Sequence, residues 1–298
     1  MQWSGSKDSF GEEILFAEHE LHTRPQFTDE GLEQLFDQFP SEEIGLWTFH
    51  EHSDEYRPPV RGTAVGVKSA DIIEAVKKGH IWINLRDCNR HIASMQDLAD
   101  EIFGSISGHF GQKTMKEDVG LLISSPNVTV NYHLDIPFVC LVHLRGEKRI
   151  WLYPDDEMHA PSEHIQNVIL KLSEEELPYQ SSYEAQAQAF DLTPGMALTW
   201  PQSAPHRIQN ANSMNVSLSC EYMTLPGLIK TNAMYTNGLM RTKLGLNPPR
   251  ARDLNASTYA KMAAARLLKV MTPPKKETKI TPPSFKIDLA TETCTAPL

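Results

Sequence analysis

Apolar positions follow three different periods along this chain. In residues 28–40, Leu32, Leu35 and Phe36 recur at helical spacing behind Thr28 and Asp29, which predict an N-cap, and Pro40 closes the helix. A weak alternation predicts a strand over 46–49. Residues 50–62 are polar, and His50 and His52 within them read as part of a solvated loop. Ser69-Ala70-Asp71 predicts the start of a helix over 72–78 that Gly79 ends. Residues 80–87 then alternate as a strand, with Trp82 and Asn84 on one face. Leu98, Ile102 and Ile106 predict an amphipathic helix over about 94–107.

From residue 120 to about 224, short apolar or alternating runs separated by Pro and Gly predict a β core. Its clearest strands are 120–125, 150–154, the two that flank Pro194-Gly195, and 215–224. Residues 155–167 read as a loop with His159 and His164 at the surface, and 181–189 as a short helix. Helical period returns over 227–244 and 257–270. The Pro-, Lys- and Thr-rich tail, 272–298, predicts disorder. The expectation is a single domain over 1–271, with a mainly β core at about 120–224 and helical flanks at 11–110 and 227–271.

Composition narrows the function classes. A formal net charge of -10 provides no basic face, so no nucleic-acid partner is expected. No run approaches the roughly 18 apolar residues of a membrane span, and no apolar stretch follows a basic start at the N-terminus. The four cysteines are scattered without metal-binding spacing and read as reduced core residues, which suggests the cytoplasm.

The chemistry concentrates in residues 124–154. His133 and Asp135 stand two apart on a predicted strand, so both side chains aim to one side. Alone, this pattern equally describes a strand histidine hydrogen-bonded to its surroundings. His206 changes the balance: it follows a Pro-Gly turn, an apolar strand and a tight loop, as a ligand at a barrel rim would. Two imidazoles and a carboxylate form the facial triad of non-haem Fe(II) sites. His143, at the nominal parity of Asp135, is a substitute ligand. Lys148 shares parity with Ile150 and Leu152, so its ammonium needs a partner. An anionic ligand is the simplest partner, and the distal carboxylate of 2-oxoglutarate suits it; an exposed lysine beside Arg145 and Arg149 is the alternative. Trp200 and Tyr132 are candidates to line the pocket.

The runs NYHLDIPFVCLVHLRGEKRIWLYP and LTPGMALTWPQSAPHRIQN resemble the cupin-like, jumonji-C branch of Fe(II)/2-oxoglutarate oxygenases, nearest its small hydroxylases. The resemblance covers about 120–224. It implies a double-stranded β-helix (jelly-roll) core with flanking N- and C-terminal helices. It also implies iron held by His133, Asp135 and His206, 2-oxoglutarate anchored by Lys148, and O2 as co-reactant. The substrate, a protein or a small molecule, is unidentified, and a homodimer through the C-terminal helices is a further implication. Two positions depart from the pattern. Val139 stands where an asparagine is frequent, and Val130 where a hydroxyl is common, so Thr129 or Asn131 (the latter sharing parity with His133) is expected to take that role. Glu221 would repel an anionic cosubstrate unless turned away. A catalytically silent cupin-like binding protein and a non-oxidative metal-dependent cupin enzyme are the competing readings.

Overall fold

The computed structural model describes residues 1–48, 59–271 and 281–298; His50 and His52 lie outside them. Strands β1 (Gln2–Trp3) and β2 (Leu15–Glu18) precede the first helix, α1 (Asp29–Gln38). As predicted, Thr28 caps it: Oγ1 accepts the Gly31 N–H at 3.2 Å. Next come β3 (Gly45–Thr48), β4 (Val60–Thr63), α2 (Ser69–Lys78), β5 (Ile81–Leu85), α3 (Cys88–His91) and α4 (Ala93–Phe110). Ile81, Ile83 and Leu85 turn inward from β5 while Trp82 and Asn84 share the other face.

Strands β6 (Met115–Ser124), β7 (Thr129–His133), β8 (Phe138–Arg145) and β9 (Lys148–Leu152) follow, then α5 (Ser162–Ile169). After these come β10 (Gln188–Leu192), β11 (Met196–Thr199), β12 (His206–Asn210), β13 (Asn215–Met223), α6 (Leu225–Leu244) and α7 (Ala256–Met271). Strands β14 (Phe285–Ile287) and β15 (Thr295–Pro297) end the chain. A large mixed sheet runs β1-β2-β11-β8-β13-β6-β5-β3-β4-β14-β15, and a second runs β10-β9-β12-β7. Mainly β architecture with helices on both sides of the sequence core is as expected. No helix among the described residues is long and apolar enough to cross a membrane.

Strand periodicity divides the interior. On β8, Cys140 and Val142 join the cluster that α1, α2 and α4 bury against the large sheet, with Leu32, Ile72, Leu98 and Ile102. Their neighbours Val139 and Leu141 face the small sheet, packing with Ile150, Leu152, Leu198, Trp200 and Ile208 in an inner cluster. β8 is therefore buried on both faces and reads as a continuous apolar run. A third cluster, Tyr132, Tyr153, Ile165, Tyr183 and Met234, covers the opposite face of the small sheet.

Three expectations are corrected. The stretch 155–167 is not all loop, because α5 begins within it and buries Ile165 and Gln166. His159 is not at the surface: its side chain is fully covered, with Nδ1 2.8 Å from Asp156 Oδ1. The tail from 281 onward is not disordered. There β14 pairs in parallel with β4 and antiparallel with β15, burying Phe285 and Ile287. Phe285 lies over Gly62, where any Cβ would come within 2.3 Å of its ring. Two apolar residues in a Pro- and Thr-rich context carry too little signal to outweigh the composition.

Candidate metal centre

The first and last of the three proposed ligands meet because β7 and β12 are neighbours. His133 is directly opposite His206, and their ring centroids are 4.1 Å apart. Asp135 follows in the connection to β8, with Oδ2 3.4 Å from His206 Nε2. One donor atom from each residue lies within 4.8 Å of the others. Donors at right angles on bonds of about 2.1 Å stand about 3 Å apart, so the Asp135–His206 pair already has nearly that spacing. His133 Nδ1–H donates to the Asn131 carbonyl at 2.7 Å, and His206 Nδ1–H to that of Ala204 at 3.4 Å. Both rings thereby leave Nε2 to ligate, and that of His206 faces Asp135. Burial, and His133 beside it, hold His206 well below the usual imidazole range, so it is neutral and able to ligate. Burial pushes the Asp135 carboxyl up against the opposing pull of His133 and Arg86. Two imidazoles and a carboxylate with no hydrogen-bonded lysine or arginine among the described residues fit a divalent transition ion.

Lys148 shares that inner surface. β9 and β12 pair without a bulge, Leu152 opposite His206, Ile150 opposite Ile208 and Lys148 opposite Asn210. Lys148 and His206 are thus on one face, four residues apart along the strand, or about 13 Å. Lys148 is only 6% exposed, and its ammonium has no hydrogen bond or ion pair among the described residues. Burial alone pulls its pKa down to about 7. The sequence alternative of an exposed lysine does not hold.

His143 is not a substitute ligand. Its Nε2–H donates to the Gly146 carbonyl at 2.9 Å while Nδ1 accepts from Ser217 Oγ at 2.9 Å, so both ring nitrogens are used. Burial, with Lys148 nearby, lowers its pKa to about 3. Gly146 turns the chain at φ 78°, and a Cβ there would meet the Met214 carbonyl at 2.5 Å.

The parity argument for Asn131 also fails. Between Ile208 and His206, two residues apart on β12, the partners on β7 are Val130 and His133, three apart. This bulge puts Val130 on the inner side with His133, packed against the inner cluster. Thr129 pairs with the exposed Gln209 and faces outward, and Asn131 sits in the bulge, its carbonyl taken by His133. Neither is brought into the Lys148–His206 space. Trp200 packs its ring 4.8 Å from His206, whereas Tyr132 points the other way and donates to the His159 carbonyl.

Glu221 belongs to the metal end, where burial and Asp135 push its carboxyl up to about 8; the Arg86 guanidinium is 3.9 Å away. A shift in that direction favours the uncharged acid and lessens the repulsion expected of it. Glu175 went unnoticed in the sequence. Its segment runs beside β7, with Leu134 N–H donating to the Glu175 carbonyl and Leu177 N–H to that of Tyr132. Burial and Asp135 raise Glu175 to about 7. An ordinary acidic run, Glu174-Glu175-Glu176, gave no cue to this placement. A cavity of about 1060 Å³ lies behind the loop that follows β11, lined by Phe10, Phe16, Phe190, Trp200, Gln202 and Lys230 among others; the triad and Lys148 do not line it.

No protein-family model matches the sequence, and no curated protein does. Among solved structures the chain is similar to YcfD from Escherichia coli, at 16% identity and a TM-score of 0.49 over 92% of this chain and 70% of that one. A second such structure is YcfD, a ribosomal oxygenase, in complex with cobalt and 2-oxoglutarate: 17% identity, TM-score 0.48, 95% of this chain and 75% of that one. A third holds cobalt and succinic acid, at 16% identity and TM-score 0.46, with 92% and 69% covered.

Proposed function

We propose that this chain is an Fe(II)- and 2-oxoglutarate-dependent oxygenase, a hydroxylase on a jelly-roll core. One observation carries the reading: a buried ammonium without a partner, Lys148, shares an inner face with a His-Asp-His triad. The core assignment draws on topology. The eight strands β6 to β13 divide into β6, β8, β11 and β13 in the large sheet and β7, β9, β10 and β12 in the small one, facing across the inner cluster.

In this reading His133, Asp135 and His206 hold the metal, which when bound supplies the redox chemistry that couples O2 to 2-oxoglutarate. Lys148 donates to the far carboxylate of the diacid, which gives the ammonium the partner it lacks among the described residues. Ile150, Leu152, Val139 and Ile208 keep bulk water from the space between. Trp200 fixes the His206 ring against rotation. One 2-oxoglutarate and one O2 yield succinate, CO2 and a substrate C–H converted to C–OH.

A cytoplasmic location and a protein or small-molecule substrate belong to the same proposal. So does a homodimer through the C-terminal helices, where Tyr259, Leu267, Val270 and Met271 stay exposed on α7; sedimentation of the intact chain tests it. Ile229 and Met234 of α6, by contrast, are buried within the chain. The deciding experiment is anaerobic binding of Fe(II) and 2-oxoglutarate, followed by succinate release in air. Wild type binds both and releases succinate, and His206→Ala does not. A protein that binds no 2-oxoglutarate sinks the assignment, and binding without any succinate favours the silent binding protein.

A further inference from the structure

The two loops that carry Asp135 and His206 belong to strands far apart in sequence, and β7–β12 pairing reaches neither loop beyond His133 and His206. Gln202 spans the gap. It lies four residues before His206 in the loop after β11, and its Nε2 donates to the carbonyl of Ile136, the residue after Asp135, at 2.7 Å. The same amide donates to Thr231 Oγ1 on α6 at 3.1 Å. The helix is built to come this close. A Cβ at Gly227, in its first turn, would lie 2.9 Å from Gln202 Oε1 and 2.8 Å from the Phe138 ring. Thr224 caps that turn by accepting the Gly227 N–H.

We infer that Gln202 is a positioning residue for the metal centre: its amide ties the Asp135 loop to the His206 loop and seats both on α6. The inference rests on the metal site proposed above. The amide touches no ligand atom and acts through the Ile136 carbonyl and the short run from Gln202 to His206. Asp135 is the ligand it governs most directly, because that carboxylate sits in a connection outside the β7–β12 ladder. His133 and His206 keep their mutual register through that ladder whether or not the amide is present.

Hydrogen-bonded supports of this kind change metal affinity by about 10–100-fold when removed. The test is titration of the metal-stripped full chain with Co(II), read by calorimetry and by the visible absorption of the bound ion, alongside thermal melting without metal. Gln202→Met fills the same volume without donors. It is expected to weaken Co(II) binding about 10–100-fold and to change the absorption spectrum, while the metal-free melting temperature stays near wild type. Thr231→Ser keeps the acceptor and should behave as wild type. If Gln202→Met does not fold, Thr231→Val, which removes one of the two anchors, is read in its place and should show the same change in smaller measure. Wild-type affinity and spectrum in the variant overturn the inference, as does a lowered melting temperature with an unchanged spectrum. A wild-type protein that takes up no Co(II) overturns the metal reading itself, a different outcome.

Discussion

Lys148→Met separates what the ammonium costs the fold from what it gives to ligand binding. An unfolded lysine titrates at 10.5, and in the fold burial brings Lys148 to about 7. Between these values the unfolded chain holds more protons than the folded one, so this group makes stability rise with pH from about 7 to 10.5. At neutral pH and below, the full penalty applies: a gap of 3.5 units at about 1.4 kcal/mol each is about 5 kcal/mol. Methionine has similar length and no charge, so the ligand-free variant should be more stable than wild type by about that amount at pH 7, and by progressively less toward pH 10. Chemical denaturation in the presence of a chelator measures this. A bound carboxylate reverses the account by giving the ammonium its partner. Losing that bond should weaken 2-oxoglutarate binding by about 3 kcal/mol, roughly a hundredfold, with Co(II) affinity unchanged. Above pH 7 the wild-type affinity should fall about tenfold per unit, because the free lysine must regain a proton to bind, and the variant should lose this slope. A variant less stable than wild type, or one that loses metal and diacid together, would make Lys148 structural and refute the reasoning.

Two further predictions concern the other wall of the site. Glu221 has its folded pKa raised from 4.5 to about 8, so its contribution to stability is lost as pH rises from about 4.5 and the loss is complete above 8. Glu221→Gln should therefore stabilise the metal-free protein at pH 8, with the advantage gone near pH 4.5; a pH-independent difference between the two denaturation curves would contradict the assigned cause. Ser219 stands opposite Leu141 on the inner face of β13, and its hydroxyl has no hydrogen bond among the described residues. We propose that it supplies the hydroxyl that β7 lacks, so Ser219→Ala should weaken 2-oxoglutarate binding several-fold, about 1 kcal/mol; equal affinity in calorimetry would dismiss it.

How far the sequence could be read follows from where strand parity is valid. Within one regular strand it held. Lys148, Ile150 and Leu152 do share a face, because β9 pairs with β12 and β10 without interruption. Helix α1 was legible for a similar local reason, since a capping hydroxyl at Thr28 and apolar residues at helical spacing are properties of a dozen consecutive residues, whereas α5 was read as loop. Parity failed at two kinds of boundary. Across the turn between β7 and β8 the chain changes sheets, so equal parity does not bring Asp135 and His143 together: His143 turns inward with Val139 and Leu141 but lies toward Lys148, its ring held by Ser217 and Gly146. Inside β7 the bulge inserts one residue, and Val130, not Asn131, accompanies His133 inward. Such a bulge is fixed by the strand opposite, β12, eighty residues on, and leaves no mark in the local pattern. Glu175 was hidden in the same way, since a loop laid beside β7 is placed by tertiary contacts alone.

The bulge also bears on the apparent defect at Val130. Restoring alternation in β7 would turn Val130 outward and bring Asn131 inward. It would also withdraw the Asn131 carbonyl that holds His133 in the tautomer presenting Nε2. In this chain the ligand's orientation and the apolar residue at position 130 are therefore two consequences of one inserted residue. In the proposed oxygenase the polar contact to a diacid would then fall to the large sheet, where Ser219 of β13 stands opposite Leu141 on the same inner face.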